Sequence, residues 1–231
     1  MTNNWRAPQR PNAYAENTLI ASILDGTFPP GSTLPAERSL AAQLGVTRPT
    51  LREAIQRLAR DGWLTVRQGK PTAVNDFWQE GGLNVLSALV HHSDHLPPNF
   101  VSQLLEVRMN LAPSYTYAAI KNNASLVSEH LSAHQTIADT PEAFAAYDWQ
   151  LHRRLCLASG NPIYTLILNG FADFYEEFAR QYFFSSQARA ISRDYYKALA
   201  AAAAEKDADR ARNISEKTML ASLQIWDRVN I

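Results

Sequence analysis

A single cysteine, Cys156, stands in 231 residues. That excludes an intrachain disulfide and a cysteine-built zinc site, and it fits a reducing compartment. No apolar core follows a basic start, and the longest strongly apolar run, Ala198 to Ala204, is far short of the ~18 residues of a membrane span. A soluble, cytoplasmic chain is expected. Glycine is sparse, nine residues in all, with none arranged as a phosphate-cradling loop of the P-loop or dinucleotide kind. Ser159-Gly160-Asn161 resembles no nucleophile elbow, and Cys156 sits in the apolar run Leu155-Cys156-Leu157 without an adjacent base. These absences argue against an enzyme. Net charge is missing too, since 22 basic and 22 acidic side chains cancel. The cancellation is uneven: residues 1–75 carry nine Lys or Arg against five Asp or Glu, and the rest of the chain is acidic by the same margin. A basic front on an acidic back fits a polyanion-binding head on a body with another task.

What is present is apolar material, 46% of residues, enough for one large or two small domains. Residues 1–12 read as loose. Ala15, Leu19, Ile20, Ile23 and Leu24 recur at helical spacing between Asn12 and Gly26. Phe28-Pro29-Pro30-Gly31 forms a rigid turn, Ser32-Thr33-Leu34 an extended stretch, and Pro35 opens a second helix that Gly45 closes. Only Val46 and Thr47 separate it from a third, the tight connection of a helix-turn-helix.

In that third helix Leu51, Ile55, Leu58 and Ala59 form one apolar stripe, which leaves Arg48, Thr50 and Arg52 exposed at the N-terminal end. Thr47 reads as N-cap, Pro49 lies in the first turn, and Gly62 stops the helix. Thr and Arg offered from a first turn suit a major groove, where forked guanidinium donors meet guanine edges and phosphates. Next, Trp63 to Arg67 and Thr72 to Val74 alternate β-formers around Gln68-Gly69-Lys70-Pro71, a hairpin with the glycine and a phosphate-seeking lysine at its tip. A hairpin directly behind a helix-turn-helix is a wing.

Beyond Asn75 the pattern is helical: Leu83 to His91, Asn99 to Lys121 with Pro113 expected to kink or break it, Ser125 to Ala138, Pro141 to Ala158, Pro162 to Phe184, Gln187 to Glu205 and Ala208 to Val229. The expected fold is mainly α, with a winged helix-turn-helix over residues 1–75 and an all-α bundle of about seven helices over 76–231.

Phe28-Pro29-Pro30-Gly31, Leu34-Pro35-Ala36-Glu37-Arg38, Gly45-Val46-Thr47-Arg48, Leu51-Arg52-Glu53 and Leu58 to Leu64 together resemble the GntR-type winged-helix regulators. Gly69 to Thr72, Phe77-Trp78, Gly82-Leu83-Asn84, Leu105 to Arg108, Ala158 to Tyr164 and Leu166 to Gly170 are similar to the branch of that family that senses long-chain acyl-CoA. The likeness implies a homodimer on palindromic operator DNA, with DNA contacts at Arg38, Thr47, Arg48, Thr50, Arg52, Gln68, Gly69 and Lys70. It implies a bundle that binds long-chain acyl-CoA as effector near Arg108, Ser222 and Trp226, with Arg108 pairing a CoA phosphate. Binding would release DNA, relieving repression of fatty-acid degradation and removing activation of unsaturated fatty-acid synthesis. Pro49 and Gln68 replace the branch's threonine and histidine, which bears on base readout. Met219 and Ala221 stand where a glycine and an acid are expected, which bears on the CoA passage. A rival inside the same fold senses a carboxylate through a metal held by Asp and His. Asp148 and His152 have the i, i+4 spacing for that, but the later regions offer Tyr195-Tyr196 and Thr218-Met219 where that arrangement needs histidines. No metal and no other cofactor is expected.

Overall fold

The computed structural model describes residues 10–92 and 96–229. The chain divides into two compact units between Leu96 and Pro97.

In the first unit, α1 (Pro11–Leu24) packs on α3 (Arg48–Asp61), with α2 (Glu37–Leu44) between them in sequence. Each helix is there for a local reason. The Thr47 Oγ1 accepts the Thr50 N–H at 3.3 Å, opening α3 as its N-cap, and Pro49 occupies the first turn. Gly45 and Gly62 close α2 and α3 in the left-handed region, at φ 66° and 95°. Leu51, Ala54, Ile55 and Leu58 are buried against Leu19, Ile20 and Ile23. The wing is short: β1 (Leu64–Thr65) pairs antiparallel with β2 (Ala73–Val74), Leu64 opposite Val74. The expected extended stretch at Ser32 to Leu34 adds to it, through a bridge of Thr33 to Ala73 and the Leu34 N–H donated to the Thr72 carbonyl at 2.8 Å. A short helix not expected from the sequence, α4 (Phe77–Glu80), is capped by Asp76 and stacks Phe77 on Trp63 with ring centroids 4.8 Å apart. Helix α5 (Leu83–His91) follows.

The second unit is all α among its described residues: α6 (Phe100–Leu131), α7 (Pro141–Ala158), α8 (Pro162–Asn169), α9 (Ala172–Phe183), α10 (Ser186–Glu205) and α11 (Ala208–Val229), with a 3₁₀ turn at His134–Thr136. Helices α6, α7, α10 and α11 surround a core that includes Tyr115, Ile120, Phe144, Leu155, Tyr196 and Leu199.

Three expectations are corrected here. Pro113 does not break α6; it is buried inside it, and the non-helical residue is Asn123 (φ −154°, ψ 65°). The Asn123 Oδ1 accepts the Leu126 N–H at 3.3 Å and so caps a new helical start. The segment after it ends at Leu131 and not at Ala138. The span from Pro162 to Phe184 is two helices, because the α8 ladder stops at Gly170 and the Phe171 N–H turns back to the Leu168 carbonyl at 2.9 Å.

Candidate functional sites: a winged-helix face and an apolar pocket

In the first unit the residues singled out for DNA contact gather at the start of α3, on α2 and at the wing tip. Arg38, Arg48 and Arg52 are exposed, and Thr47 and Thr50 join their hydroxyls at 2.8 Å. Gln68, Gly69 and Lys70 are exposed, with Gly69 at φ 71° and the Lys70 N–H closing the turn on the Arg67 carbonyl at 3.1 Å. One partner was not read from the sequence: Glu37, on α2, takes Arg52 in a forked pair, Nη2 to Oε2 at 2.7 Å and Nε to Oε1 at 3.4 Å. Fifteen residues of separation hide such a pair from any helical periodicity. It raises the pKa of Arg52, chiefly through the hydrogen bond, and fixes its direction in the first turns of α3.

In the second unit the stripe Val101, Leu104, Leu105, Arg108, Leu111 and Tyr115 on α6 forms one wall of a pocket enclosing about 110 Å³. Helix α8 supplies Tyr164, Ile167 and Leu168, α9 supplies Tyr175, Phe178, Ala179 and Tyr182, and α11 supplies Ser222 and Trp226. Arg108 on α6 and Ser222 and Trp226 on α11, read from two separate stretches, therefore line one cavity. Exposure falls along the wall, from half-buried Val101 and Leu104 to Tyr115 and His152 at 4% and 1%.

Behind the pocket lies a buried polar cluster. Asp148 on α7 accepts hydrogen bonds from Tyr175 on one oxygen and Tyr196, at 2.9 Å, on the other. The Arg108 Nη2 is 3.5 Å from the same carboxylate, its Nη1 donates to the Tyr175 hydroxyl at 3.4 Å, and its Nε meets the Met219 sulfur at 3.0 Å. Met219 is buried in the core behind Arg108, and Ala221 is half-buried. Burial works to raise the Asp148 pKa, but the imidazole of His152, the guanidinium and the two phenols together outweigh it and hold the carboxylate below its usual value. Burial likewise lowers Arg108, yet the facing phenol and carboxylate win and keep it a cation. His152 joins its Nδ1 to the Tyr115 hydroxyl at 2.7 Å. Burial, first, and then Arg108 push it down to about 4, so it is neutral at pH 7 and its 3.6 Å approach to Asp148 is no ion pair.

Asp148 and His152 thus share a face as metal-ligand spacing requires, but they meet Arg108, Tyr115, Tyr175 and Tyr196. Among the described residues no group of three or more His, Cys, Asp and Glu gathers where a metal ion could be held. Cys156 is buried and its thiol is pushed up to about 12 by that burial, the opposite of an activated nucleophile. Of the described residues, no helix is long and apolar enough to cross a membrane.

Comparison with known proteins also divides the chain in two, but after residue 74, ahead of α4 and α5, and not after Leu96. Residues 12–74 match the family described as bacterial regulatory proteins, gntR family, and residues 75–231 match the FadR C-terminal domain. A fatty acid metabolism regulator protein of Shewanella pealeana is 47% identical over 85% of this chain and 82% of its own. One from Yersinia enterocolitica is 44% identical over 94% and 91%. In the solved structures, Lar, which controls the expression of the Listeria monocytogenes agr system, aligns over 98% of this chain and 100% of its own. Its TM-score is 0.62 at 18% identity, a likeness of fold alone. A basic winged helix joined to a FadR-type helical domain is the layout of a transcription regulator, and the chain belongs to the GntR family.

Proposed function

We propose that this chain is a cytoplasmic regulator of fatty acid metabolism, with residues 1–75 binding DNA and residues 76–231 binding a long-chain acyl-CoA. A homodimer places two copies of α3 in successive major-groove faces of a palindromic operator, with Arg38, Thr47, Arg48, Thr50 and Arg52 on the duplex and Gln68, Gly69 and Lys70 at the wing. Acyl-CoA in the α6–α11 pocket releases the operator. That relieves repression of fatty-acid degradation and removes activation of unsaturated fatty-acid synthesis.

The observation that carries this reading is the pocket: aromatic and aliphatic walls around Arg108, Ser222 and Trp226, in a domain whose relatives at 44–47% identity are named fatty acid metabolism regulators. Its size supports the coupling. A cavity of about 150 Å³ holds a six-carbon benzene, so 110 Å³ takes only the start of a long chain. The rest displaces α8 and α9, and a ligand that fits only the displaced arrangement favours it by its differential affinity. Against a metal-bound carboxylate stands Asp148, both of whose oxygens already accept from phenols.

A shift assay on operator DNA with oleoyl-CoA tests the proposal. Loss of the complex at saturating ligand supports it, and an undisturbed complex contradicts it.

A further inference from the structure

Along α6 the pocket wall is apolar where it is half-buried, at Val101 and Leu104, and turns polar at Arg108 before the buried Tyr115, and that order says which part of an acyl-CoA sits where. Val101 and Arg108 are seven residues apart on α6, about 10 Å along the axis. Between them the wall offers only hydrocarbon and aromatic surface, with Trp226 against Phe178, ring centroids 6.4 Å apart. At the level of Arg108 comes a band of polar atoms from Arg108, Tyr175, Tyr182 and Ser222.

Most hydrogens of that band are already committed. The Tyr175 hydroxyl donates to Asp148, the Tyr182 hydroxyl to Ser222 at 3.1 Å, and the Ser222 hydroxyl to the Thr218 carbonyl at 2.9 Å. Arg108 differs. Its five N–H groups have a sulfur at 3.0 Å, a phenol at 3.4 Å and a carboxylate oxygen at 3.5 Å, contacts that are weak or long. Its side chain is 22% exposed, on the pocket wall. A phosphate there would bring two further negative charges beside buried Asp148, with no second cation among the described lining residues, an arrangement that desolvation opposes. A neutral carbonyl oxygen needs one or two directed donors and no counter-charge.

Resting on the acyl-CoA reading above, we infer that Arg108 donates to the thioester carbonyl of the bound acyl-CoA, within the band that Tyr175 holds in place, and does not pair with a CoA phosphate. The acyl chain then lies on the Leu111–Tyr115 side of the band, and the pantetheine arm leaves past Leu104 and Trp226. Arg108 is thereby the residue that separates a thioester from a thioether of the same length.

Calorimetry with dodecanoyl-CoA and S-dodecyl-CoA, a thioether identical except for the missing carbonyl, tests this on the full chain. Wild type should prefer the thioester about tenfold or more, the scale of a hydrogen bond from a charged group. Arg108→Gln, which keeps amide donors without the charge, should retain part of that preference, and Arg108→Met should abolish it while leaving thioether affinity unchanged. Equal affinity of wild type for both ligands overturns the inference and leaves the acyl-CoA reading standing. An equal loss for both in Arg108→Met assigns the residue to phosphate and also overturns it. Binding of neither ligand overturns the acyl-CoA reading itself and this inference with it. The wild-type ratio decides the matter even where a variant fails to fold, and Tyr175→Phe, which loosens Arg108 without removing it, should shrink the ratio.

Discussion

Arg108 and Asp148 come together from two helices, and neither is explained by its own helix. In the sequence Arg108 reads as one cation on an amphipathic stretch and Asp148 as half of a metal-ligand pair. Only the packing of α6 on α7 reveals that each answers the other. Ser222 and Trp226 entered only as positions matched through the family resemblance, whereas Tyr175 and Tyr182 carried no such signal: a tyrosine at helical spacing looks like core until its hydroxyl finds a partner. His152 sets a pH dependence. Its folded pKa of about 4 lies below the unfolded value of about 6.5, so the unfolded chain binds the extra proton between those values. Stability is therefore full above pH 6.5 and declines as pH falls toward 4, by on the order of 3 kcal/mol for this one group. His130, lowered chiefly by burial, adds in the same direction. Urea midpoints between pH 7 and 4.5 should fall, and His152→Gln should flatten that fall in part; a midpoint independent of pH contradicts the assignment. On the DNA side, Arg48→Ala should remove ~1–3 kcal/mol of operator discrimination if Arg48 reads a base edge. An equal loss on operator and random duplex reduces it to a phosphate contact. Glu37→Gln frees Arg52 from its acid, so binding to random duplex should strengthen and its salt slope steepen by about 0.9, measured by anisotropy titration.

At the scale of elements, caps and stops were read well and breaks inside long helices were not. Thr47 and Thr140 open their helices with side-chain oxygens on backbone N–H groups, each visible as a polar residue just ahead of a proline, and Asn161 does the same although its stretch reads first as the stop of the helix before it. Pro113 misled because a proline removes only one ladder bond, which a well-packed helix tolerates when the ring itself is buried. Asn123, which does interrupt the ladder, is an ordinary polar residue whose capping role depends on the turn around it. Gly62 is the position where an element and its neighbour meet most tightly: at φ 95°, a Cβ there would lie 2.7 Å from the Glu80 carbonyl oxygen and 2.8 Å from the Gly81 Cα. Both are backbone atoms, so neither yields easily. Gly62→Ala should destabilise the winged-helix unit by ~1–3 kcal/mol, seen as a lower midpoint in thermal unfolding. An unchanged midpoint contradicts the packing of α3 against α4.

For the molecule as a whole, charge separates residues 1–75, net +4, from residues 76–231, net −4, although the compact unit that carries the winged helix runs on to Leu96. What charge could not convey is how little space the pocket holds, since 110 Å³ is what five helices leave between them and has no sequence counterpart. The account makes DNA binding and lipid binding opposed. Operator affinity should fall steeply with salt, because arginine and lysine contacts to phosphates release counterions. It should also depend on protein concentration through dimer formation. The most direct measurement is operator affinity across an oleoyl-CoA titration at fixed salt. The account predicts that affinity declines with ligand and levels off once the pocket is full, with Arg108→Met shifting the decline to higher ligand concentration. Operator affinity that stays constant while calorimetry shows the ligand bound would contradict it.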